Sequence, residues 1–182
     1  MEIIFNVAKE GMEKAIKSFE RDLGTVSTGR ANAKLLDPVR VEAYGNFVPL
    51  NQISNVSVVD AVTISIQAWD KSMINPIDRA ISMANLGFTP KVDGNVIRVS
   101  IPKLTEERRK ELCKLVKKYS EERKINVRNV RRDALDMLKR QKDDFSENDR
   151  KKFEERIQKL TDEYIEKVES LLNEKENDIL KQ

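Results

Sequence analysis

Apolar residues recur at every third or fourth position in three stretches of the chain, which is the spacing of one helix face. The stretches cover 3–28, 105–143 and the segment after Ser146. Thr105 and Ser146 are predicted N-caps, because their hydroxyls can accept a first-turn N–H. The pattern therefore predicts three long amphipathic helices that pack into a bundle. The predicted buried positions are Phe5, Ala8, Met12, Ala15, Phe19, Leu23 and Val26, then Leu112, Val116, Tyr119, Val127, Val130, Ala134 and Met137, and finally Phe153, Ile157, Leu160, Tyr164, Val168 and Leu171.

Between the first and second helices, the period of the apolar residues changes to two, which is typical of half-buried strands. Three strands are predicted, around 39–43, 62–68 and 97–101. A short helix over about 74–86, ended by Gly87 as a left-handed C-cap, lies between the second and third strands. Asp93-Gly94 predicts a tight turn just before the third strand. This region is therefore predicted to be a small β/α/β domain.

The predicted fold class is α+β, with two domains. Residues 1–30 and 104–182 form the three-helix bundle, and residues 31–103 form the inserted β/α/β domain. Two short connections join the domains, which suggests a hinge between them. The predicted hinge residues are Arg30, Ala31, Pro102, Lys103 and Leu104.

The composition excludes several kinds of active site. The chain has 182 residues, no His and one Cys, Cys113, so a His-dependent catalytic triad, a His-ligated zinc site and an internal disulfide are ruled out. The six glycines are dispersed, without a phosphate-binding loop. Acid pairs such as Asp143-Asp144 fit solvated faces better than catalysis. We expect no enzyme activity, cofactor or metal. The lack of a signal peptide and of a membrane-length apolar run predicts a cytoplasmic protein.

The basic residues are concentrated in the second long helix. Residues 105–142 carry 14 basic and 7 acidic side chains. At about 100° per residue, nine of the basic side chains fall within roughly a 100° arc, almost opposite the predicted apolar face. We call this group the basic ridge; its members are Lys110, Lys114, Lys117, Lys124, Arg128, Arg131, Arg132, Lys139 and Lys142.

The ordinary explanation of such a charge run is a solvated face. A solubilising helix, however, places acids three or four residues from its bases, whereas the stretch from Arg123 to Arg132 has five bases and no acid. Like charges at this spacing destabilise a helix, and a polyphosphate would compensate for them. Because aromatic residues are not interleaved with the bases, a folded RNA or DNA surface is favoured over stacked single strands. Arg30 either caps the first helix or extends the ridge.

Several motifs in chain order closely resemble the bacterial ribosome recycling factor family. The two most specific are Leu104-Thr105-Glu106-Glu107-Arg108-Arg109 and Arg128-Asn129-Val130-Arg131-Arg132-Asp133-Ala134. The others are Thr28-Gly29-Arg30-Ala31, Ala43-Tyr44-Gly45, Trp69-Asp70-Lys71-Ser72-Met73 and Ile97-Arg98-Val99.

The resemblance implies an L-shaped, hinged protein that binds the post-termination ribosome and, with elongation factor G and GTP hydrolysis, splits the subunits. It implies large-subunit rRNA contacts at Arg128, Arg131, Arg132 and Arg109, with Arg30 near the hinge. From the ridge we add Lys117 and Lys124. The expected partners are the ribosome and elongation factor G, with no membrane, and the protein is expected to be a monomer. Leu135 departs from the family pattern, where a polar residue is expected.

Three other classes of protein remain open from the residues alone. A coiled-coil adaptor could use the ridge to bind an acidic protein. A metal-dependent enzyme would require a cluster of carboxylates in a cleft. A nucleic-acid packaging protein should bind duplex DNA as tightly as it binds ribosomes.

Overall fold

The computed structural model describes residues 1–181, with Lys142 described by its backbone, and it has the predicted α+β class. The four α-helices are α1 (Glu2–Gly24), α2 (Ile74–Met83), α3 (Glu106–Arg140) and α4 (Glu147–Leu180). The six strands are β1 (Arg40–Ala43), β2 (Asn46–Pro49), β3 (Ser54–Asp60), β4 (Thr63–Ala68), β5 (Pro90–Asp93) and β6 (Val96–Ser100).

The chain divides into two compact units. The first combines Met1–Leu23 with Lys110–Gln182, and the second is Gly24–Arg109. The second unit is thus inserted in sequence between the two parts of the first. The boundaries at 30/31 and 103/104 stay a prediction, because the contacts group residues 24–30 and 104–109 with the second unit.

The core of the first unit comes from one face of each long helix. Met12, Phe19, Val127, Ile157 and Val168 are fully buried. These positions all belong to the predicted apolar faces, so the bundle assignment is confirmed in its central layers.

Polar contacts between helices add to this core. The Tyr164 hydroxyl donates to Glu13 Oε2 at 2.8 Å. Burial, together with this hydrogen bond, raises the pKa of Tyr164 to about 12. The phenol therefore stays protonated and keeps α4 bonded to α1 through the neutral pH range.

Both predicted N-caps are confirmed. The Thr105 hydroxyl accepts from the Arg108 backbone N–H at 3.1 Å, and the Ser146 hydroxyl accepts from that of Asp149 at the same distance. Ser146 also donates to the Asp149 carboxylate at 2.6 Å, which closes the variant capping box.

The first helix is shorter than predicted. It ends at Gly24 instead of residue 28, because Thr25, Val26, Ser27 and Thr28 combine β-branched residues with serine, which all disfavour a helix. Val26 is nevertheless buried beyond the helix end. An apolar residue in helical register therefore need not belong to the helix.

The second unit contains a four-stranded antiparallel sheet in the order β3-β4-β6-β5 and a separate β1-β2 hairpin. The predicted alternation is confirmed in the two central strands, where Ile64 pairs with Val99 and Ile66 with Ile97, all fully buried. The helix α2 belongs to the same core through its buried Ile77.

Three strands were not predicted: β2, β3 and β5. The strands β3 and β5 form the two edges of the sheet, and most of their residues are exposed. An edge strand buries little, so its sequence shows weak alternation. The predicted turn at Asp93-Gly94 is confirmed as the β5–β6 hairpin, with Gly94 at φ +61°.

The short helix also ends before the predicted residue. It stops at Met83, with Ala84 as the C-cap, and Asn85 adopts a left-handed conformation at φ +51°. Gly87 is left-handed too, at φ +85°, but it lies beyond the cap. Asparagine tolerates this conformation, so the turn begins earlier than glycine alone indicated.

Candidate nucleic-acid interface

The basic ridge on α3 is only partly exposed. Six of its members have exposed side chains and Arg131 is half-buried. The exposed members are Lys110, Lys114, Lys117, Arg128, Arg132 and Lys139. Of Lys142, the ninth member, the structure describes only the backbone. The ridge therefore forms a cationic surface on the bundle, but not over its whole predicted width.

Lys124 corrects the predicted ridge. Its side chain is about nine-tenths buried, with 10% exposed, and its ammonium group is hydrogen-bonded to Glu169 of α4 and to Glu121 at 3.1 Å. The hydrogen bond that Lys124 donates to Glu169 is the main cause that raises the pKa of Lys124. The prediction that Lys124 lies on an exposed ridge is wrong, because α4 packs over this position and supplies the counter-charge.

The buried face of α3 is displaced toward the ridge. Ser120, Lys124 and Leu138 are buried, whereas Met137, which was predicted to be buried, is 42% exposed, and Tyr119 is half-buried. The helix contacts both α1 and α4, so two adjoining strips of its surface are covered. The apolar pattern in the sequence indicates only the apolar buried strip of α3. It does not indicate the adjoining strip that is buried against polar residues.

Three arginines form the centre of the exposed cationic surface, and we call them the arginine triplet: Arg128, Arg131 and Arg132. Arg128 is exposed, and Arg132 Nη2 donates to Asn129 Oδ1 at 3.1 Å. The Nε of Arg131 is buried without a hydrogen-bond partner. Within residues 1–181, none of the three forms an ion pair with a carboxylate. Their planar donor groups are suited to bidentate binding of phosphate.

Lys117 is exposed but has a carboxylate neighbour. Its ammonium group lies 3.7 Å from Glu176 Oε1, and its side chain is 63% exposed. Lys139 similarly lies 3.9 Å from Asp136. These lysines carry charge that the protein already compensates in part, unlike the arginine triplet.

Leu135, the apolar member of the ridge face, has a packing role. It is half-buried against the core cluster that contains Ile4, Leu138 and Phe153. The apolar side chain therefore extends the core at this end of the bundle.

The remaining predicted site residues lie in the second unit. Arg109 is half-buried, with a buried Nε that lacks a hydrogen-bond partner, and Arg30 is exposed. The backbone N–H of Ala31 donates to the Ala61 carbonyl at 2.7 Å. Gly29 adopts φ +80°, which favours glycine, and a Cβ at this position would be in ordinary van der Waals contact with Leu104.

The other predicted hinge residues, Pro102 and Lys103, are exposed. The hinge stays a prediction, as do RNA contacts at Arg30 and Arg109.

The sequence pattern did not indicate the acidic residues that face the ridge, Glu169 and Glu176 of α4. They are seven residues apart, as are Lys117 and Lys124. Matching intervals of opposite charge on two antiparallel helices are a detectable signal, but only once the helix register is known.

Other chemistry is sparse. Within residues 1–181, no group of three or more His, Cys, Asp and Glu side chains could hold a metal ion. Burial is the main cause that raises the pKa of the Cys113 thiol, which disfavours the thiolate. No helix in the described part of the chain is long and apolar enough to cross a bilayer.

The fold and this surface define a class of protein: a long-helix bundle whose arginine triplet has no carboxylate partner within residues 1–181, joined in sequence to a small β-rich unit. Comparison with known proteins narrows this class. Residues 19–180 match the family model for ribosome recycling factor. The ribosome-recycling factor of Bacillus subtilis is 51% identical over 180 residues, which cover 98% of this chain and 97% of the relative. That of Bradyrhizobium diazoefficiens is 48% identical over 177 residues, covering 96% and 94%.

Solved structures agree. A solution structure of a ribosome recycling factor matches with a TM-score of 0.77 and 41% identity, covering 98% of this chain and 96% of that one. Models of the T. thermophilus ribosome recycling factor and the E. coli elongation factor G bound to the E. coli post-termination complex match with a TM-score of 0.67 and 41% identity, covering 99% and 98%. The chain belongs to the ribosome recycling factor family.

Proposed function

We propose that this protein recycles ribosomes: it binds the post-termination ribosome and, with elongation factor G and GTP, promotes separation of the subunits. Family membership supports the assignment, as does the fold shared with a recycling factor placed on a post-termination complex with elongation factor G. A cytoplasmic site of action is part of this proposal, because the ribosome is the target. GTP hydrolysis belongs to elongation factor G, and the factor itself catalyses no covalent reaction.

The observation that best supports the proposed binding mode is the arginine triplet without carboxylate partners. Arg128, Arg131 and Arg132 lie within five consecutive residues of α3 and have no carboxylate partner in residues 1–181. Arginine forks bind phosphate oxygens with two parallel hydrogen bonds, and each neutralised phosphate releases counterions. We therefore assign the triplet to phosphates of large-subunit rRNA. Lys117, Arg109 and Arg30 stay predicted contacts.

The bundle suits a mechanical role. The helix α3 has 35 residues and is about 52 Å long at 1.5 Å per residue. The paired helix α4 has 34 residues. Two long helices packed along their length resist bending, so a force applied by elongation factor G at one end would reach the rRNA contacts with little loss. In this proposal the factor acts as a lever.

The test is light scattering of post-termination ribosomes mixed with the protein, elongation factor G and GTP. We expect a decrease in scattering that requires all three components. Arg131→Glu should abolish the decrease, because it places a carboxylate against rRNA phosphates. Lys14→Glu is the matched control, since Lys14 is exposed on α1, outside the ridge, and the change in charge is the same.

The outcomes separate the alternatives. Splitting that survives Arg131→Glu would keep the recycling assignment but refute the role of the triplet. Absence of splitting by the wild-type protein, with matched ribosomes at low salt, would refute the proposed function. Equal affinity for duplex DNA and for ribosomes would favour a packaging protein instead.

A further inference from the structure

Two lysines of α3 pair with two glutamates of α4 at equal intervals. Lys117 lies 3.7 Å from Glu176, and Lys124 is hydrogen-bonded to Glu169. The lysines are seven residues apart and so are the glutamates, in opposite chain directions. Seven residues are close to two helical turns, so the pairs repeat on the same faces of two antiparallel helices. We call these two ion pairs the Lys–Glu ladder.

The next position in this register has no ion pair. Seven residues beyond Lys124 is Arg131, and seven residues before Glu169 is Asp162. Asp162 Oδ1 instead accepts a hydrogen bond from Gln158 Nε2 at 2.8 Å. Arg131 Nε is buried without a hydrogen-bond partner. By this register, Asp162 is the acid expected opposite Arg131, and it is hydrogen-bonded to a residue of its own helix.

We propose that α4 determines which cations of α3 bind RNA. Glu176 and Glu169 compensate the two lysines, and Gln158 holds Asp162 away from Arg131. Of the ridge cations from Lys117 to Arg132, the arginine triplet is therefore the group that α4 leaves without a compensating carboxylate. In this scheme Glu176 and Gln158 are positioning residues that never touch the RNA. The inference rests on the proposed function, because it specifies how the same surface is restricted.

Burial of the Glu176 side chain explains why its ion pair with Lys117 persists. The Glu176 side chain is only 21% exposed, and its Oε1 is buried without a hydrogen-bond partner. A buried carboxylate oxygen that lost its nearby ammonium group would carry an uncompensated charge. Phosphate therefore has to compete with Glu176 for Lys117, whereas it meets no such competitor at Arg131.

Limiting phosphate binding to the arginine triplet would make the position of the bundle on RNA more specific. If every ridge cation contacted phosphate equally, the helix could slide along an RNA surface with little loss of energy, because ion pairing alone is independent of sequence. A short arginine group flanked by compensated lysines has one position of best fit. The ladder therefore limits the register in which the bundle can bind.

The first test measures the salt dependence of binding to vacant Bacillus subtilis ribosomes by pelleting, between about 50 and 200 mM KCl. We expect Glu176→Gln to steepen the slope of log K against log salt by about 0.7–0.9, as one more phosphate contact would. Adding Lys117→Gln to that variant should remove the gain. Glu174→Gln is the matched control, because Glu174 is exposed two residues away, and it should leave the slope at the wild-type value.

The second test concerns the missing ion pair. Gln158→Ala frees Asp162 to pair with Arg131, so the slope should become shallower by up to about 0.7–0.9. The double variant Gln158→Ala, Asp162→Asn should return to the wild-type slope, because the competing charge is gone. A loss caused merely by disturbed packing would remain in the double variant.

Each result supports or overturns the inference. A slope for Glu176→Gln equal to that of Glu174→Gln would overturn the role of the ladder. A wild-type slope for Gln158→Ala, or failure of the double variant to restore it, would overturn the role of Gln158. If the wild-type protein did not bind ribosomes, the proposed function would fail. The salt needed to elute the same variants from heparin, a polyanion without a ribosome, would then still decide the inference.

Discussion

Removal of Glu169 tests how the buried end of the ladder contributes to stability. The Lys124 side chain is 10% exposed, and its ammonium group bonds to Glu169 and Glu121. In Glu169→Ala, only the more exposed Glu121, at 3.1 Å, remains as a partner. Lys124→Met, in contrast, removes the buried charge together with its need for a partner. The two substitutions break the same pair from opposite sides.

The expected losses of stability differ between Glu169→Ala and Lys124→Met for a physical reason. Breaking a buried pair by removing one partner costs about 3–5 kcal/mol, whereas exposed pairs contribute about 0–1 kcal/mol. Glu169 is 46% exposed and Glu121 still compensates Lys124, so we expect Glu169→Ala to cost about 2 kcal/mol. Replacing the buried lysine with a hydrophobic residue of similar size should be close to neutral or stabilising.

The assay is thermal and urea unfolding followed by far-ultraviolet circular dichroism, which reports mainly on the long helices. A loss of about 2 kcal/mol should lower Tm by about 4–8 °C in a chain of this size. Glu174→Ala, at an exposed position of the same helix, controls for helix propensity. Equal losses in Glu169→Ala and Lys124→Met would refute the reasoning, because they would show that the intact pair is strongly stabilising in itself.

The remaining predictions concern pH and capping. Glu169 raises the pKa of Lys124 in the folded state. The stabilisation from this pair is therefore complete below the unfolded-state pKa of about 10.4. It is lost as pH rises through the folded-state pKa. The Tm difference between wild type and Glu169→Ala should therefore narrow above about pH 10.5, and a constant difference there would contradict the assignment. Ser146→Ala removes the N-cap bond to Asp149 and should cost about 1 kcal/mol in urea unfolding; Ser146→Asp, which retains an acceptor, should recover most of that loss.

The binding surface and the stability of the bundle are linked through α4. The residues that compensate Lys117 and Lys124 also hold α4 against α3. A variant made to enlarge the RNA-binding surface by removing these acids would thus also weaken the bundle. Binding and unfolding should be measured on the same variants, so that the two effects are separated.

The features that depend on neighbouring residues in the chain were predicted from the sequence. The period of apolar residues identified the three long helices and the central strands β4 and β6, because those positions are buried on one face and the backbone sets the repeat. The caps at Thr105 and Ser146 were predicted, since a hydroxyl acts within its own first turn. The concentration of basic residues in α3 was predicted too, because the number of charged residues in a segment follows from the sequence alone.

Only the tertiary structure decided which of those charges are available. Lys124 and Arg131 are both basic residues of the predicted ridge, yet Lys124 is bonded to Glu169 and Arg131 has no ion pair within residues 1–181. The difference depends on the register of α4, which brings Glu169 to Lys124 from 45 residues away. The edge strands β3 and β5 depended in the same way on partners distant in sequence. A sequence specifies what each residue can do locally, but compensation of charge and pairing of strands depend on which distant residues pack beside it.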